Sequence, residues 1–178
     1  MKGLVFVHFL EMVDKRFSIE VSERLIQTSD LPSKGIYTTV GTYDFGEMAA
    51  LVTNLSRITG IPVSELLKEF GRYLFGVFVK YFPAFFEGIN STFEFLPQVH
   101  SYVHLEVEKL YADAELPVFT CDDSDPDKLL MTYKSTRNLP DLAEGLMLGC
   151  IEHFGEELTV SRKTPEGDQQ ATLFIISK

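Results

Sequence analysis

The sequence predicts an α+β fold, with a helical amino-terminal lobe and a carboxy-terminal lobe that has a roughly four-stranded antiparallel sheet plus helices. Apolar residues recur at helical spacing up to about Tyr111, whereas short β-rich runs dominate after Pro117. A length of 178 residues and a hydrophobic content of 45% suffice for one domain with a substantial core. We therefore expect a single domain over 1–178, with a helical lobe over about 1–62 and a second lobe over about 63–178.

Helical periodicity divides the amino-terminal part of the chain into five segments. Their expected bounds are 3–16, 18–28, 45–58, 62–82 and 97–111. The fourth segment has the most regular apolar stripe, because Pro62 suits the first turn of a helix and Pro83 ends the pattern. Pro97 opens the fifth segment in the same way, and the valines that follow it repeat at helical spacing.

The part of the chain after Pro117 alternates between β-rich runs and one helix. The expected strands are 117–121, 128–134, 157–163 and 171–177. A helical segment over about 141–155 separates the second strand from the third. The residues Pro165-Glu166-Gly167-Asp168 are typical of a turn, so the last two strands are expected to form a hairpin.

Charge and cysteine content exclude several classes of partner. The 16 basic and 26 acidic residues give a formal net charge of -10, and the basic residues form no cluster. Neither nucleic acid nor an anionic membrane is therefore expected as the main partner. The apolar opening over 4–10 is shorter than the roughly 20 residues of a membrane-spanning helix. Cys121 and Cys150 allow one disulfide at most, which favours a reduced, cytoplasmic location.

His100 and His104 lie four residues apart on the predicted 97–111 helix and project from one face. Two such imidazoles can share a zinc ion, but a zinc hydrolase needs a third ligand, and the nearest carboxylates lie on other faces of the helix. A single imidazole beside an apolar cavity instead suits a five-coordinate haem iron. The 15 Phe and 7 Tyr, with many Phe between 70 and 95, favour burial of a large flat ligand. An ordinary, partly buried histidine pair is the third interpretation.

Tyr133, Ser135 and Arg137 alternate along the chain, so in an extended segment they share one face. A phenol, a hydroxyl and a guanidinium are all hydrogen-bond donors, and together they form a receptor for a pair of carboxylates. Haem presents two propionates at one edge of an apolar disc. The alternative interpretation is the solvent-facing side of a polar strand.

These residues resemble the haem nitric oxide/oxygen-binding (H-NOX) family, which is related to the haem domain of soluble guanylate cyclase. The resemblance covers essentially the whole chain. Its motifs are Met1-Lys2-Gly3, Gly71-Arg72, Val103-His104-Leu105 with Leu110-Tyr111 downstream, Pro117, Tyr133-x-Ser135-x-Arg137 and Gly145-Leu146. The family implies one haem-binding domain that encloses haem b between its two lobes and acts as a sensor, not as an enzyme.

The resemblance also implies individual roles. His104 matches the proximal histidine that ligates the iron, and His100 is an additional histidine with an expected structural role. Pro117 matches a proline that presses on the haem and distorts it, and Val5 matches an apolar residue that packs on its other side. The propionate-binding triad is matched by Tyr133, Ser135 and Arg137. Pocket-lining positions are matched by Phe9, Phe78 and Leu146.

Leu74 and Leu142 indicate which gases the haem is expected to bind. Oxygen binding to ferrous haem is helped by a distal hydrogen-bond donor. Oxygen-binding members of the family carry a distal tyrosine at the position of Leu142 and a polar residue at the position of Leu74, and here both are apolar. We therefore expect nitric oxide and carbon monoxide to bind and oxygen to be excluded. Tyr73 is next to Leu74 in the sequence but lies about 100° away around the helix, so we expect its phenol to turn away from the iron.

The resemblance implies that nitric oxide weakens or breaks the bond between iron and His104 and lets the haem relax against Pro117 and Val5, so that the lobes move. The expected output is a separate signalling protein, a histidine kinase in preference to a diguanylate cyclase. Cys121 and Cys150 are too few for the zinc-binding cysteine cluster that some relatives carry. The alternatives are a zinc-dependent hydrolase that uses His100 and His104, a haem peroxidase and a purely structural interaction protein.

Overall fold

The amino-terminal part of the computed structural model consists of four helices, which begin and end close to their predicted bounds. They are α1 (Gly3–Arg16), α2 (Ile19–Thr28), α3 (Phe45–Thr59) and α4 (Val63–Tyr81). Side chains cap two of them: Ser18 accepts the Val21 amide at the start of α2, and Asp44 accepts the Gly46 amide at the start of α3. The structure describes residues 1–165, 167, 168 and 170–178, and only the backbone of Leu110.

A second set of helical turns follows α4. After a 3₁₀ turn at Pro83–Phe86 come the short helix α5 (Thr92–Phe95) and the helix α6 (His104–Leu110). The sequence predicts one continuous helix from Pro97, but residues Val99–Val103 form a π turn in which the His104 amide donates to the Val99 carbonyl. This i→i−5 bond sets the entry into α6, and π turns of this kind are frequent at functional sites.

The carboxy-terminal part is a four-stranded antiparallel sheet with the order β1-β2-β4-β3. The strands are β1 (Val118–Asp125), β2 (Lys128–Lys134), β3 (Thr159–Lys163) and β4 (Ala171–Ser177), and helix α7 (Pro140–Phe154) lies between β2 and β3. Strand β1 extends beyond its predicted end into the acidic residues. The last two strands form the predicted hairpin, with the Asp168 amide bonded to the Pro165 carbonyl. Glu166, which belongs to the predicted turn, lies outside the described residues.

Two glycines on α7 and one on α4 allow these helices to approach each other closely. A Cβ atom built on Gly71 would lie 2.5 Å from the Leu142 carbonyl oxygen, and one built on Gly145 would overlap the backbone of Lys68. Gly149 faces α4 in the same way, because its Cβ would lie 2.8 Å from the Phe75 Cβ. The close crossing brings Leu142 and Leu146 next to α4.

The apolar side chains form two cores. The first joins α1 to α4 and includes Phe6, Phe9, Phe70 and Leu74 as buried members. The second joins the sheet to α7 and includes Met131, Phe174 and Ile176. Leu146 packs against both cores, and α4 contributes to both, since Leu74 belongs to the first and Phe75 to the second. The space between the two cores is the site described next.

Candidate functional site

A cavity of about 290 Å³ lies between the two cores, and its walls are mostly apolar. Helices α1, α4, α6 and α7, strands β1 and β2 and the segment after α4 all contribute to it. Six phenylalanines from one stretch of the chain line the cavity, and they are Phe75, Phe78, Phe82, Phe85, Phe86 and Phe95. A concave apolar cavity with a few polar groups is the usual form of a cofactor site.

Ten of the eleven site residues predicted from the sequence line this one cavity. They are Val5, Leu74, Phe78, His104, Pro117, Tyr133, Ser135, Arg137, Leu142 and Leu146. They come from α1, α4, α6, β2 and α7, from the residue before β1 and from the turn after β2. The fold therefore brings together residues that lie far apart in the sequence.

Phe9, the eleventh predicted residue, is not among the residues that line the cavity. Its side chain is fully buried in the first core, with its ring centroid 5.1 Å from that of Phe70 in an edge-to-face arrangement. Phe9 lies one turn after Val5 on α1, and Phe70 lies one turn before Leu74 on α4. Val5 and Leu74 thus line the cavity. One turn further from it, Phe9 and Phe70 fill the space between α1 and α4.

His104 is the titratable side chain that stands out in the cavity. Its Nδ1 atom is buried and has no hydrogen-bond partner among the described residues, and its ring lies 5.8 Å from the Phe119 ring and 6.3 Å from that of His100. Burial, with a smaller contribution from the His100 charge, lowers the pKa of His104 to about 4, although the nearby backbone of Pro117 acts in the opposite direction. At neutral pH the imidazole is therefore uncharged, the form that ligates metals.

The donors of Tyr133, Ser135 and Arg137 meet at one end of the cavity through a turn and not through an extended strand. Strand β2 ends at Lys134, Ser135 Oγ accepts the Arg137 amide at 3.2 Å, and Asn138 has a positive φ of 45°. The predicted alternation along a strand is therefore wrong beyond Lys134. Donors can still converge, because a turn re-aims successive side chains.

Hydrogen bonds hold two of these donors in place. The hydroxyl of Tyr133, a buried side chain, accepts the Leu139 amide at 3.0 Å, which leaves its own proton for an acceptor. The Arg137 guanidinium donates to the Glu115 carbonyl at 2.7 Å and to the Glu115 carboxylate at 2.9 Å. The arginine thus already binds a carboxylate of the chain itself.

Further polar residues at this end of the cavity were missed by the sequence analysis. Together with Ser135 and Arg137 they form what we call the polar rim, and they are Lys2, Thr42, Asp113 and Glu115. Lys2 pairs with Asp113 at 2.6 Å and donates to Thr42 at 2.8 Å. No local pattern marks this pairing, because the three residues come from separate segments of the chain.

The two predicted distal positions carry no hydrogen-bond donor. Leu74 is buried, Leu142 is partly buried, and both line the cavity. The hydroxyl of Tyr73 is held by Lys15, which donates to it at 2.7 Å, and itself donates to Glu11 at 3.3 Å. Tyr73 therefore turns away from the cavity, as its position around the helix predicts.

The zinc interpretation finds no support in the geometry. Within the described residues no three His, Cys, Asp or Glu side chains are grouped so as to hold a metal ion. The His100–His104 pair therefore lacks the third protein ligand that a hydrolytic zinc site requires.

Within the described part of the chain no helix is long and apolar enough to cross a membrane.

A family model described as Haem-NO-binding matches residues 2–162. The chain belongs to the Haem-NO-binding (H-NOX) family. Members of this family bind haem and are haem-based gas sensors. No curated protein matched the chain.

Solved H-NOX structures share the whole fold. The unliganded Fe(II) H-NOX protein from K. algicida is 35% identical, with a TM-score of 0.92, and the match covers 100% of this chain and 96% of that one. The H-NOX from Shewanella woodyi, solved with IWP-051 in the Fe(II)CO state, is 37% identical, with a TM-score of 0.86 and coverage of 100% and 94%. An S. oneidensis H-NOX in the Fe(II)NO state, at 24% identity, has a TM-score of 0.90 and coverage of 99% and 98%, and it shows the fold alone.

The residues around the cavity fit a haem. An uncharged imidazole with a buried, unpartnered nitrogen faces an apolar space, as an axial ligand must. The polar rim and Tyr133 offer donors for carboxylates at one end, and phenylalanines line the walls, so that a disc with one polar edge matches both parts.

Proposed function

We propose that this H-NOX protein is a sensor that binds nitric oxide and carbon monoxide at ferrous haem b, excludes oxygen, catalyses no reaction and signals to a separate protein. The observation that carries the proposal is the combination of an uncharged His104 and the two leucines, Leu74 and Leu142, on one apolar cavity. When bound, the haem supplies an iron with one open position for a diatomic gas.

His104 is the residue that would ligate the haem iron. It is the histidine that lines the cavity, whereas His100 is exposed one turn earlier. The π turn that precedes α6 fixes the His104 backbone through the Val99 carbonyl, so the imidazole is positioned before a ligand arrives. Pro117 lines the cavity beyond α6, and Val5 does so from α1, where each is suited to contact one face of a flat ligand.

Tyr133, Ser135 and Arg137 are the proposed partners of the haem propionates. The phenol has a free proton, and the guanidinium has the fork of donors that suits a carboxylate. The same guanidinium also pairs with the Glu115 carboxylate. The triad would therefore hold the carboxylates of a haem, and the phenylalanines would contact its apolar part.

The proposed exclusion of oxygen depends on the lack of a hydrogen-bond donor at Leu74 and Leu142. Neither side chain can donate a hydrogen bond, and the one phenol adjacent on α4, that of Tyr73, is bound to Lys15 and Glu11. Nitric oxide and carbon monoxide need no such donor to bind ferrous haem, so the apolar pocket favours them over oxygen.

Signalling is proposed to follow from the position of the cavity between the two cores. His104 and Pro117 lie on one side, near the sheet, and Val5 lies on α1 in the first core. Release of His104 from its ligand position would free α6 and the segment up to Pro117 to shift relative to α1. A histidine kinase is proposed as the partner ahead of a diguanylate cyclase, and the net charge of -10 suits a basic patch on it.

The test is the absorption spectrum of the reduced protein under nitrogen, then in air, then with carbon monoxide and with nitric oxide. We expect a five-coordinate spectrum that air does not change and that both other gases shift. His104→Gly should lose haem unless imidazole is added, and His100→Gly, the matched control, should retain it.

Three outcomes contradict the proposal. A stable oxygen complex would refute the argument from Leu74 and Leu142. Haem retention by His104→Gly without imidazole would refute the ligand assignment. A colourless wild-type protein that contains stoichiometric zinc would favour the hydrolase instead.

A further inference from the structure

The proposed function assigns no role of its own to the Lys2 side chain. Its side chain lines the cavity and is only 16% exposed, which is low for a lysine near a chain terminus. The ammonium group lies 5.1 Å from the centroid of the Tyr111 ring, whose side chain also lines the cavity. A sheltered cation at the polar rim is therefore directed toward the same space as His104.

Backbone contacts fix Lys2 independently of its side-chain partners. Lys2 forms an isolated antiparallel bridge with Thr42. On either side of it, the Tyr43 amide donates to the Met1 carbonyl at 2.9 Å and the Gly3 amide donates to the Gly41 carbonyl at 2.8 Å. The start of the lysine side chain is thus held at the cavity even if its ionic partner is removed.

The rim contains two ion pairs with the same arrangement. Lys2 pairs with Asp113 at 2.6 Å, and Arg137 pairs with Glu115 at 2.9 Å. Both cations are sheltered, with side chains 16% and 18% exposed, whereas the carboxylates are 60% and 72% exposed. Both carboxylates belong to the segment between α6 and β1. That segment therefore presents two carboxylates to two separately held cations.

The Asp113 carboxylate is held in its charged form by its neighbours. Hydrogen bonds from Lys2 and Thr42 lower the pKa of Asp113 to about 2, so its carboxylate is ionised. The Met1 amine lies among the same charges: burial lowers its pKa, and the charges of Arg137 and Lys2 lower it further, while those of Glu115 and Asp44 raise it. This amine donates to the Tyr43 carbonyl at 2.7 Å. The side-chain cations of the polar rim are therefore Lys2 and Arg137.

We propose that Lys2 binds one of the two haem carboxylates alongside Arg137, and that this carboxylate takes the place of Asp113 beside Lys2. The proposal rests on the proposed function, because it assigns a residue to the ligand of that cavity. Two cations then meet the two carboxylates of one disc, and the exposed Asp113 and Glu115 move toward solvent. Lysine suits this exchange, since its ammonium group is a point charge without a required bidentate geometry.

The experiment compares two ligands that differ only at the carboxylates: protohaem and its dimethyl ester, which carries no negative charge at that edge. Ferric protein is loaded with each, and haem transfer to excess apomyoglobin is followed by absorption. Lys2→Met should lose protohaem about tenfold faster than the wild type, the size expected for a lost charge-assisted hydrogen bond at a sheltered site. The same variant should lose the dimethyl ester at the wild-type rate, and Lys2→Arg should restore retention of protohaem.

Two controls separate binding from a structural role. Asp113→Asn frees Lys2 and should retain protohaem at least as well as the wild type. If Lys2 only fastens the 113–115 segment, Asp113→Asn and Lys2→Met will accelerate loss of both ligands alike, which overturns the proposal. Lys80→Met removes a lysine from α4 that lies over Tyr81 outside the cavity, and it should change neither rate.

The experiment distinguishes failure of the Lys2 proposal from failure of the proposed function. A wild-type protein that binds neither ligand would refute the haem site itself. A wild-type protein that binds both, with no difference between protohaem and its ester in Lys2→Met, would refute only the role of Lys2. Circular dichroism of each variant shows whether it is folded. If Lys2→Met is not folded, the rates at which Asp113→Asn loses protohaem and its ester decide the question.

Discussion

Gly145 offers a direct test of the close contact between α4 and α7. A Cβ atom at this position would overlap the Lys68 carbonyl oxygen and lie 2.8 Å from the Lys68 Cα, well inside ordinary van der Waals contact. Overpacking of this kind costs about 1–3 kcal/mol, and the upper end applies because the obstacle is backbone and not a movable side chain. The better helix propensity of alanine offsets about 1 kcal/mol. We therefore expect Gly145→Ala to lower the free energy of unfolding by about 2 kcal/mol and Tm by about 4–8 °C.

Gly76→Ala is the matched control on α4. Gly76 is exposed, and a Cβ atom there would have nothing within 4 Å, so only the propensity gain remains. This variant should be more stable by about 1 kcal/mol, which corresponds to about 2–4 °C in Tm. Urea denaturation and thermal melts followed by circular dichroism measure both changes. The reasoning is refuted if Gly145→Ala melts at or above the wild-type temperature, because the helices would then not be held at the distance that the glycines imply.

Three further predictions concern the cavity, a buried carboxylate and the two thiols. Leu142→Tyr should yield a stable oxygen complex in air by supplying a donor, whereas Leu142→Phe should not; an unchanged spectrum for the tyrosine variant would show that the phenol does not reach the ligand. Glu47→Gln weakens the acceptor that binds Ser33 and Tyr37 and should cost about 1–2 kcal/mol in urea denaturation, while the exposed Glu23→Gln should cost nothing measurable. Burial raises the pKa of Cys150 to about 12 and that of Cys121 to about 11, above the value of about 8.5 in an unfolded chain. Both thiols are therefore protonated at pH 8, and Ellman's reagent should label them rapidly only in urea; rapid labelling of the native protein would contradict the burial of Cys150 and the partial burial of Cys121.

Local patterns account for the success of the helix and strand predictions. Helix α1 has its predicted bounds, and so do strands β2 and β4. These elements have an unbroken apolar period and clear turn residues at their ends, which is the information that short-range sequence carries. The π turn over Val99–Val103 lies beyond that information, because one i→i−5 turn leaves nearly the same residues on the same face.

Two site residues show where local patterns fail. Phe9 has the apolar character and helical position of a cavity residue, yet Phe70 fills the space beside it. Ser135 and Arg137 alternate like strand residues, yet they belong to a turn that ends at a positive φ. In both cases the side-chain type was informative, whereas its surroundings depended on another segment of the chain.

The sequence established the chemistry available to this protein: two histidines one turn apart on a helix face, a set of donors at and beyond the end of a strand, and leucines at the positions that match the family's distal residues. The tertiary structure alone decided which of these groups share a cavity, that Phe9 does not, and that Lys2 faces Asp113 at its rim. The physical reason is that hydrophobic periodicity specifies a buried face without specifying its partner. Partners are chosen by the packing of distant segments, here by the glycine-mediated approach of α7 to α4 and by the backbone bridge that holds the amino terminus beside Thr42.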